Sequence, residues 1–174
     1  MIRLLGAEDE SSLKSFCQKE SPFACRIWST AAAYGFNMPF ARFWIQERDG
    51  AATAAVCKLD TAAVLEADKR ADFEELKGFL NAVDVGTLLC SEKIGVSLQA
   101  PAVRKGRTMV CRRKPEQALE SVVIWNPGIR ELYALLQDCR TELFPVPEFE
   151  PFYLDLSHRT RHGTACSAGI LREG

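Results

Sequence analysis

"ARFWIQERDGAATAAVCKLDTAAVLEA", residues 41–67, is the stretch on which the reading of this chain turns. In "ARFWIQE" (41–47), Phe43 and Ile45 alternate with Arg42 and Gln46, which is the two-residue period of a strand. "RDG" (48–50) carries hairpin chemistry, because a tight turn needs positive φ and Asp and Gly tolerate it. "AATAAVCK" (51–58), the turn "LDT" (59–61) and "AAVLEA" (62–67) follow. The stretch predicts a three-stranded antiparallel meander.

Upstream of the meander, "MIRLL" (1–5) reads as a short strand. In "EDESSLKSFCQKE" (8–20), Leu13, Phe16 and Cys17 fall at helical spacing, with acids in the first turn where the helix dipole favours them. Ser21-Pro22 signals a second helix: a capping hydroxyl, then a proline whose missing N–H costs nothing at that position. That helix presents Phe23, Ile27, Trp28 and Ala31 on one face, and Gly35 suits its end.

Downstream, "ADFEELKGFLNAV" (71–83) is amphipathic, with Phe73, Leu76, Leu80 and Val83 on one face. "GTLLCSE" (86–92) and "GRTMVCRR" (106–113) are strand candidates. After Pro115 the pattern restarts. "SVVIW" (121–125) reads as a strand, and Asn126-Pro127 repeats the cap-plus-proline signal. The helix it opens turns Ile129, Leu132, Tyr133, Leu136 and Cys139 inward. "FPVPEFEP" (144–151) is expected to be a loop, "TACSAGIL" (164–171) a strand and "REG" (172–174) a turn. Trp28, Trp44 and Trp125 all fall on apolar faces and are expected to anchor cores.

"ARFWIQERDG" (41–50) and "ACSAGILREG" (165–174) are each an apolar strand closed by Arg, an acid and Gly. The fold class is therefore mixed α/β, with one unit over residues 1–115 and the opening part of a second over 116–174. On this reading the strand at 164–171 has an open edge, expected to pair with a second protomer or with the first unit's sheet.

Composition bounds the function classes. Of the 174 residues, 47% are hydrophobic and 26% charged, which is ordinary for a globular protein, and no apolar run approaches a membrane span. "MIRLLGAEDESS" (1–12) carries no secretory signal pattern, so a cytoplasmic location and no membrane partner are expected. Seven cysteines without a CxxC pair read as free thiols, and no metal is expected. A formal net charge of -1 gives no global attraction to nucleic acid. The basic run "RKGRTMVCRRK" (104–114) holds no aromatic residue for stacking on bases, so nucleic acid is not expected as a partner.

The conspicuous polar cluster is "SHRTRH" (157–162), with Asp155 just before it. Ser157, His158, Arg159, Arg161 and His162 together with Asp155 form a candidate substrate or anion contact. Arginine offers bidentate forks, and histidine titrates near neutrality. The alternative is a polar loop entering a strand, with Asp155 or Ser157 capping local backbone groups. The four-residue spacing of His158 and His162 suits a metal on one helix face, but the sequence shows neither a third ligand nor a helix there. Cys166 is a candidate nucleophile near His162 or else a structural thiol.

The order strand, two helices, three antiparallel strands, helix, strand resembles the first part of the GNAT superfamily fold, that of the acetyl-CoA-dependent N-acetyltransferases. "FYLDLSHRTRHGTACSAGILREG" (152–174) is similar to the stretch leading into the second strand of bacterial members, some of which carry a degenerate N-terminal GNAT-like half. The resemblance implies acetyl transfer from acetyl-CoA to a small-molecule or peptide amine. It also implies a Q/R-x-x-G-x-G/A loop, at a helix N-terminus, for the cofactor's pyrophosphate.

At the corresponding place the first unit reads "LEADKRADFEELKGFL" (65–80), with no glycine pair and with Asp68, Asp72, Glu74 and Glu75 at the helix start. No cofactor-binding or catalytic residue carries over from the family. The chain is expected to be the N-terminal portion of a longer enzyme, completed beyond Gly174 and showing little activity alone. The competing expectation is a non-catalytic binding or assembly module.

Overall fold

The computed structural model describes residues 1–106, 123–140, 146–163 and 165–170. The chain divides into two units, Met1–Thr108 and Met109–Gly174. The fold is mixed α/β, as the sequence led us to expect.

In the first unit, β1 (Ile2–Leu4) is followed by a short 3-10 turn (Ala7–Asp9), α1 (Glu10–Cys17) and α2 (Pro22–Tyr34). Next come β2 (Ala41–Arg48), β3 (Ala51–Leu59), β4 (Ala62–Ala67), α3 (Phe73–Ala82), β5 (Thr87–Leu89) and α4 (Glu92–Ser97). The strands form one sheet in the order β1-β2-β3-β4-β5. All neighbours are antiparallel except β4 and β5, whose parallel pairing is made possible by the crossover through α3.

The local signals act as the chemistry demands. Asp49 (φ 52°) and Gly50 (φ 72°) both take the left-handed conformation that a two-residue hairpin needs. The Ser21 hydroxyl accepts from the N–H groups of Phe23 and Ala24 and donates to Glu66, so one side chain caps α2 and ties it to β4. Gly35 leaves α2 at φ 67°.

Both faces of the sheet are covered. Phe43, Ile45, Ala55 and Cys57 cluster with Leu13, Phe16, Ile27 and Ala31 from α1 and α2. Ala54, Val56, Ala63 and Leu65 cluster with Leu76, Leu80, Ile94 and Leu98 from α3 and α4. Two-sided burial explains why residues 51–57 read as an apolar run rather than an alternation. Trp28 and Trp44 are half-buried at the margins of these two clusters. α4, which the sequence reading did not anticipate, starts where the Ser91 hydroxyl accepts from the Ile94 N–H. The strand expected over 106–113 falls almost wholly outside the described residues.

The second unit comprises β6 (Val123–Trp125), α5 (Ile129–Asp138), α6 (Phe149–Arg161) and β7 (Ala168–Ile170). β6 and β7 pair antiparallel. β7 thus pairs with β6 of its own unit along one edge. Tyr133 of α5 meets Phe149 and Phe152 of α6 at centroid distances of 5.1 and 5.3 Å, and its hydroxyl donates to the Pro147 carbonyl.

Several expectations fail here for identifiable reasons. Asn126 does not cap α5; Gly128 occupies the cap position. Asn126 takes φ 50° and closes the strand pair instead: its Oδ1 accepts from Ser167 N and its N–H donates to Ser167 O. The loop expected over 144–151 gives way to helix at Phe149. Pro151 sits in the first turn, where an N–H has no intrahelical partner to lose. "SHRTRH" (157–162) is accordingly the end of a helix and not a loop. Cys139 is exposed rather than inward. Trp125 is 68% exposed and belongs to no buried cluster among the described residues.

Candidate functional site

The place to look for a phosphate site is the β4–α3 connection, residues 68–72, with the first turn of α3. It is held from below by a β-bulge. The register of β2 on β3 slips between Gln46 and Glu47, leaving Thr53 as the extra residue. The Thr53 carbonyl accepts from Asp68 N, and its hydroxyl donates to Gln46 Oε1 at 3.0 Å. Gln46, 2% exposed, accepts from Asp72 N through Oε1 at 2.9 Å. Its Nε2 donates to the Asp72 carbonyl at 3.0 Å and to Glu75 Oε2 at 2.7 Å.

The remaining backbone donors of the connection are largely spoken for. Asp68 accepts from Arg70 N through Oδ1, and from Ala71 N through its carbonyl. The Asp72 carboxylate caps α3 by accepting from Glu75 N at 2.9 Å, and the Asp72 carbonyl accepts from Leu76 N. Six of the nine N–H groups from Asp68 to Leu76 (those of 68, 70, 71, 72, 75 and 76) are therefore engaged within the unit.

Charge closes the site further. Asp72, Glu74 and Glu75 stand at the positive end of the helix dipole, where an anion would otherwise be drawn. Asp68 lies below its ordinary carboxylate value. Burial pushes it up, but the hydrogen bonds and charge of Arg70, whose Nη2 lies 2.8 Å away, more than offset that. The Glu75 carboxylate also takes the Ile2 N–H at 3.1 Å and the N-terminal ammonium at 3.2 Å. The arrangement chemically suits a tied-down connection.

Beside it, an open cleft of about 500 Å³ lies between α1 and the β2–β3 hairpin, lined by Ser15, Phe16, Lys19, Ile45, Ala52 and Arg70 among others. The Lys19 ammonium sits 3.6 Å from the Phe16 ring centroid, a cation–π contact.

Asp155, Ser157, His158, Arg159 and Arg161 lie on the second half of α6, and His162 is its C-cap. Asp155 accepts from Arg159 Nε at 2.9 and 3.1 Å, a four-residue helix pair. His158 and His162 lie in tilted contact, with ring centroids 4.4 Å apart. Ser157 is half-buried and Arg161 exposed. His158, Arg159 and Arg161 suit the negative end of the helix dipole. The helix thus brings together two pairs, Asp155 with Arg159 and His158 with His162. Cys166 is exposed, and its thiol lies 3.8 Å from the Ser167 carbonyl. No group of three His, Cys, Asp or Glu side chains placed to hold a metal occurs among the described residues.

Sequence reasoning missed Gln46, which it set on the polar side of an alternating strand, and Thr53, to which it gave no role. The available signal was that helices precede and follow the meander, so that both sheet faces are covered and a polar side chain on a central strand needs internal partners. Among the described residues no helix is long and apolar enough to cross a membrane. Comparison with protein families, with curated proteins and with solved structures finds no match to this chain.

Proposed function

We propose that this chain is an acetyltransferase-related protein of the GNAT type, whose first unit is a non-catalytic scaffold. The element order of the first unit supports the relationship: strand, two helices, three antiparallel strands, helix, strand. The observation that carries the scaffold reading is the N-terminus of α3. A carboxylate of the chain itself, Asp72, takes the Glu75 N–H, and with Glu74 and Glu75 it sets negative charge where a pyrophosphate would have to sit. Acetyl transfer to a small-molecule or peptide amine then needs an acetyl-CoA site other than this one.

Thermal unfolding with and without acetyl-CoA tests the reading. A ligand at 100 times its dissociation constant adds about 2.7 kcal/mol, a rise of several degrees for a unit of this size. The expected result is an unchanged Tm. A saturable rise overturns the scaffold reading.

The second unit favours a further role as an assembly module. None of its residues with a described exposure is buried, and Trp125, Leu135 and Leu154 are 68, 57 and 60% exposed. Apolar surface of this kind marks interaction sites. A second copy pairing along the 164–171 segment covers such a surface. Light scattering then gives about twice the 19.4 kDa chain mass, and a monomer at high concentration removes this reading. A cytoplasmic location fits both roles.

A further inference from the structure

His158 and His162 stand four residues apart, on α6 and at its C-cap, with their ring planes inclined at 35° and centroids 4.4 Å apart. An imidazole bound to a cation through a ring nitrogen has its centroid about 3.2 Å from the ion, given a bond of about 2.0–2.1 Å and a ring radius of about 1.1 Å. Two such rings at a right angle are about 4.5 Å apart, and at the tetrahedral angle about 5.2 Å. The observed separation is compatible with the right-angled case and shorter than the tetrahedral one.

We propose that His158 and His162 form a two-imidazole site for a divalent late transition cation that accepts right-angled ligands, Ni²⁺ or Cu²⁺, with water at the remaining positions. The helix fixes both Cα positions in advance, so binding orders only two short side chains. Each imidazole has two nitrogens, and one can bind the cation while the other keeps a hydrogen bond. The C-terminal end of the helix dipole favours a cation, and the charge of Arg159 is balanced by Asp155. Arg161 is exposed and opposes binding only through water. With two protein ligands, the cation exchanges readily and the fold does not depend on it.

The test is a titration of the untagged full chain, its accessible thiols blocked by alkylation, with Ni²⁺ followed by calorimetry. One equivalent is expected to bind, weakened about tenfold or more by His158→Gln and by His162→Gln. Glutamine is a good helix former, so circular dichroism of both variants should match the parent. Sub-stoichiometric Cu²⁺ on the unaltered chain provides a check that needs no variant: both histidine ring signals should broaden together and before others. No saturable equivalent, an affinity unmoved by both substitutions, or broadening of one ring alone overturns the proposal.

Discussion

Gln46→Glu changes one atom of the side chain that ties the β2–β3 bulge to α3, and its cost can be worked from the geometry. The Nε2 position, which donates to the Asp72 carbonyl (3.0 Å) and to Glu75 (2.7 Å), becomes an oxygen facing two oxygens. Losing a neutral hydrogen bond costs about 0.5–1.5 kcal/mol and one to a charged partner about 1.5–3 kcal/mol, so the penalty is about 2–4 kcal/mol. That is a large share of the roughly 5–15 kcal/mol a domain possesses.

The penalty depends on pH. Burial at 2% exposure beside Glu75 raises the new carboxyl above its unfolded value of about 4.3. A carboxyl raised in the folded state binds its proton more tightly there, so stability relative to the parent falls as pH climbs past that unfolded value. In the protonated form the new side chain regains one donor. Urea unfolding of variant and parent at pH 4.5 and pH 8 measures both effects. The deficit should be about 2–4 kcal/mol at pH 8 and smaller by about 1 kcal/mol or more at pH 4.5. A deficit below about 1 kcal/mol at pH 8, or one independent of pH, refutes the reasoning.

Ser21→Ala removes the α2 cap and its tie to Glu66, and should cost about 1–2 kcal/mol in urea unfolding; an unchanged midpoint contradicts the capping role. Burial pushes the Cys17 thiol up to about 12, so iodoacetamide at neutral pH should modify Cys25, Cys139 and Cys166 and spare Cys17 until the chain unfolds. Mass mapping that finds Cys17 labelled as fast as Cys25 in the native state counts against its burial. Asp9 is held below the usual carboxylate range by the Gly6 N–H and by Arg3, against the opposing effect of burial. Its contribution is present above the unfolded value of about 3.9 and lost as pH falls through the folded value. Asp9→Asn should therefore cost about 1 kcal/mol at pH 7 and progressively less in acid, and a penalty independent of pH contradicts the pairing.

Where one residue's intrinsic preference decides the backbone, the sequence was legible. Ser21-Pro22, Gly35 and Asp49-Gly50 each did what their local chemistry requires. The three strands of the meander, β2, β3 and β4, followed from period and turn residues. Positions settled by a distant partner were not legible. Asn126-Pro127 looks like Ser21-Pro22, yet Asn126 turns to Ser167, forty-one residues away. Pro151 looked like a breaker because its place in the turn could not be read from "FPVPEFEP". Gln46 looked solvent-facing until α3 arrived over it. At the candidate site, the carboxylates around α3 were visible in sequence. The bulge that pins the connection beneath them was not, because it is a register slip between two strands.

The most direct test of the closed α3 terminus is a ¹⁵N–¹H spectrum of the full chain titrated with acetyl-CoA. The amides of Phe73, Glu74, Glu75 and Leu76 are expected to stay in place at every concentration, since Asp72 takes the Glu75 N–H and the carboxylates of Asp72, Glu74 and Glu75 repel an anion from that turn. Saturable shifts centred on those four amides would show a working phosphate site, and would contradict the scaffold reading of the first unit.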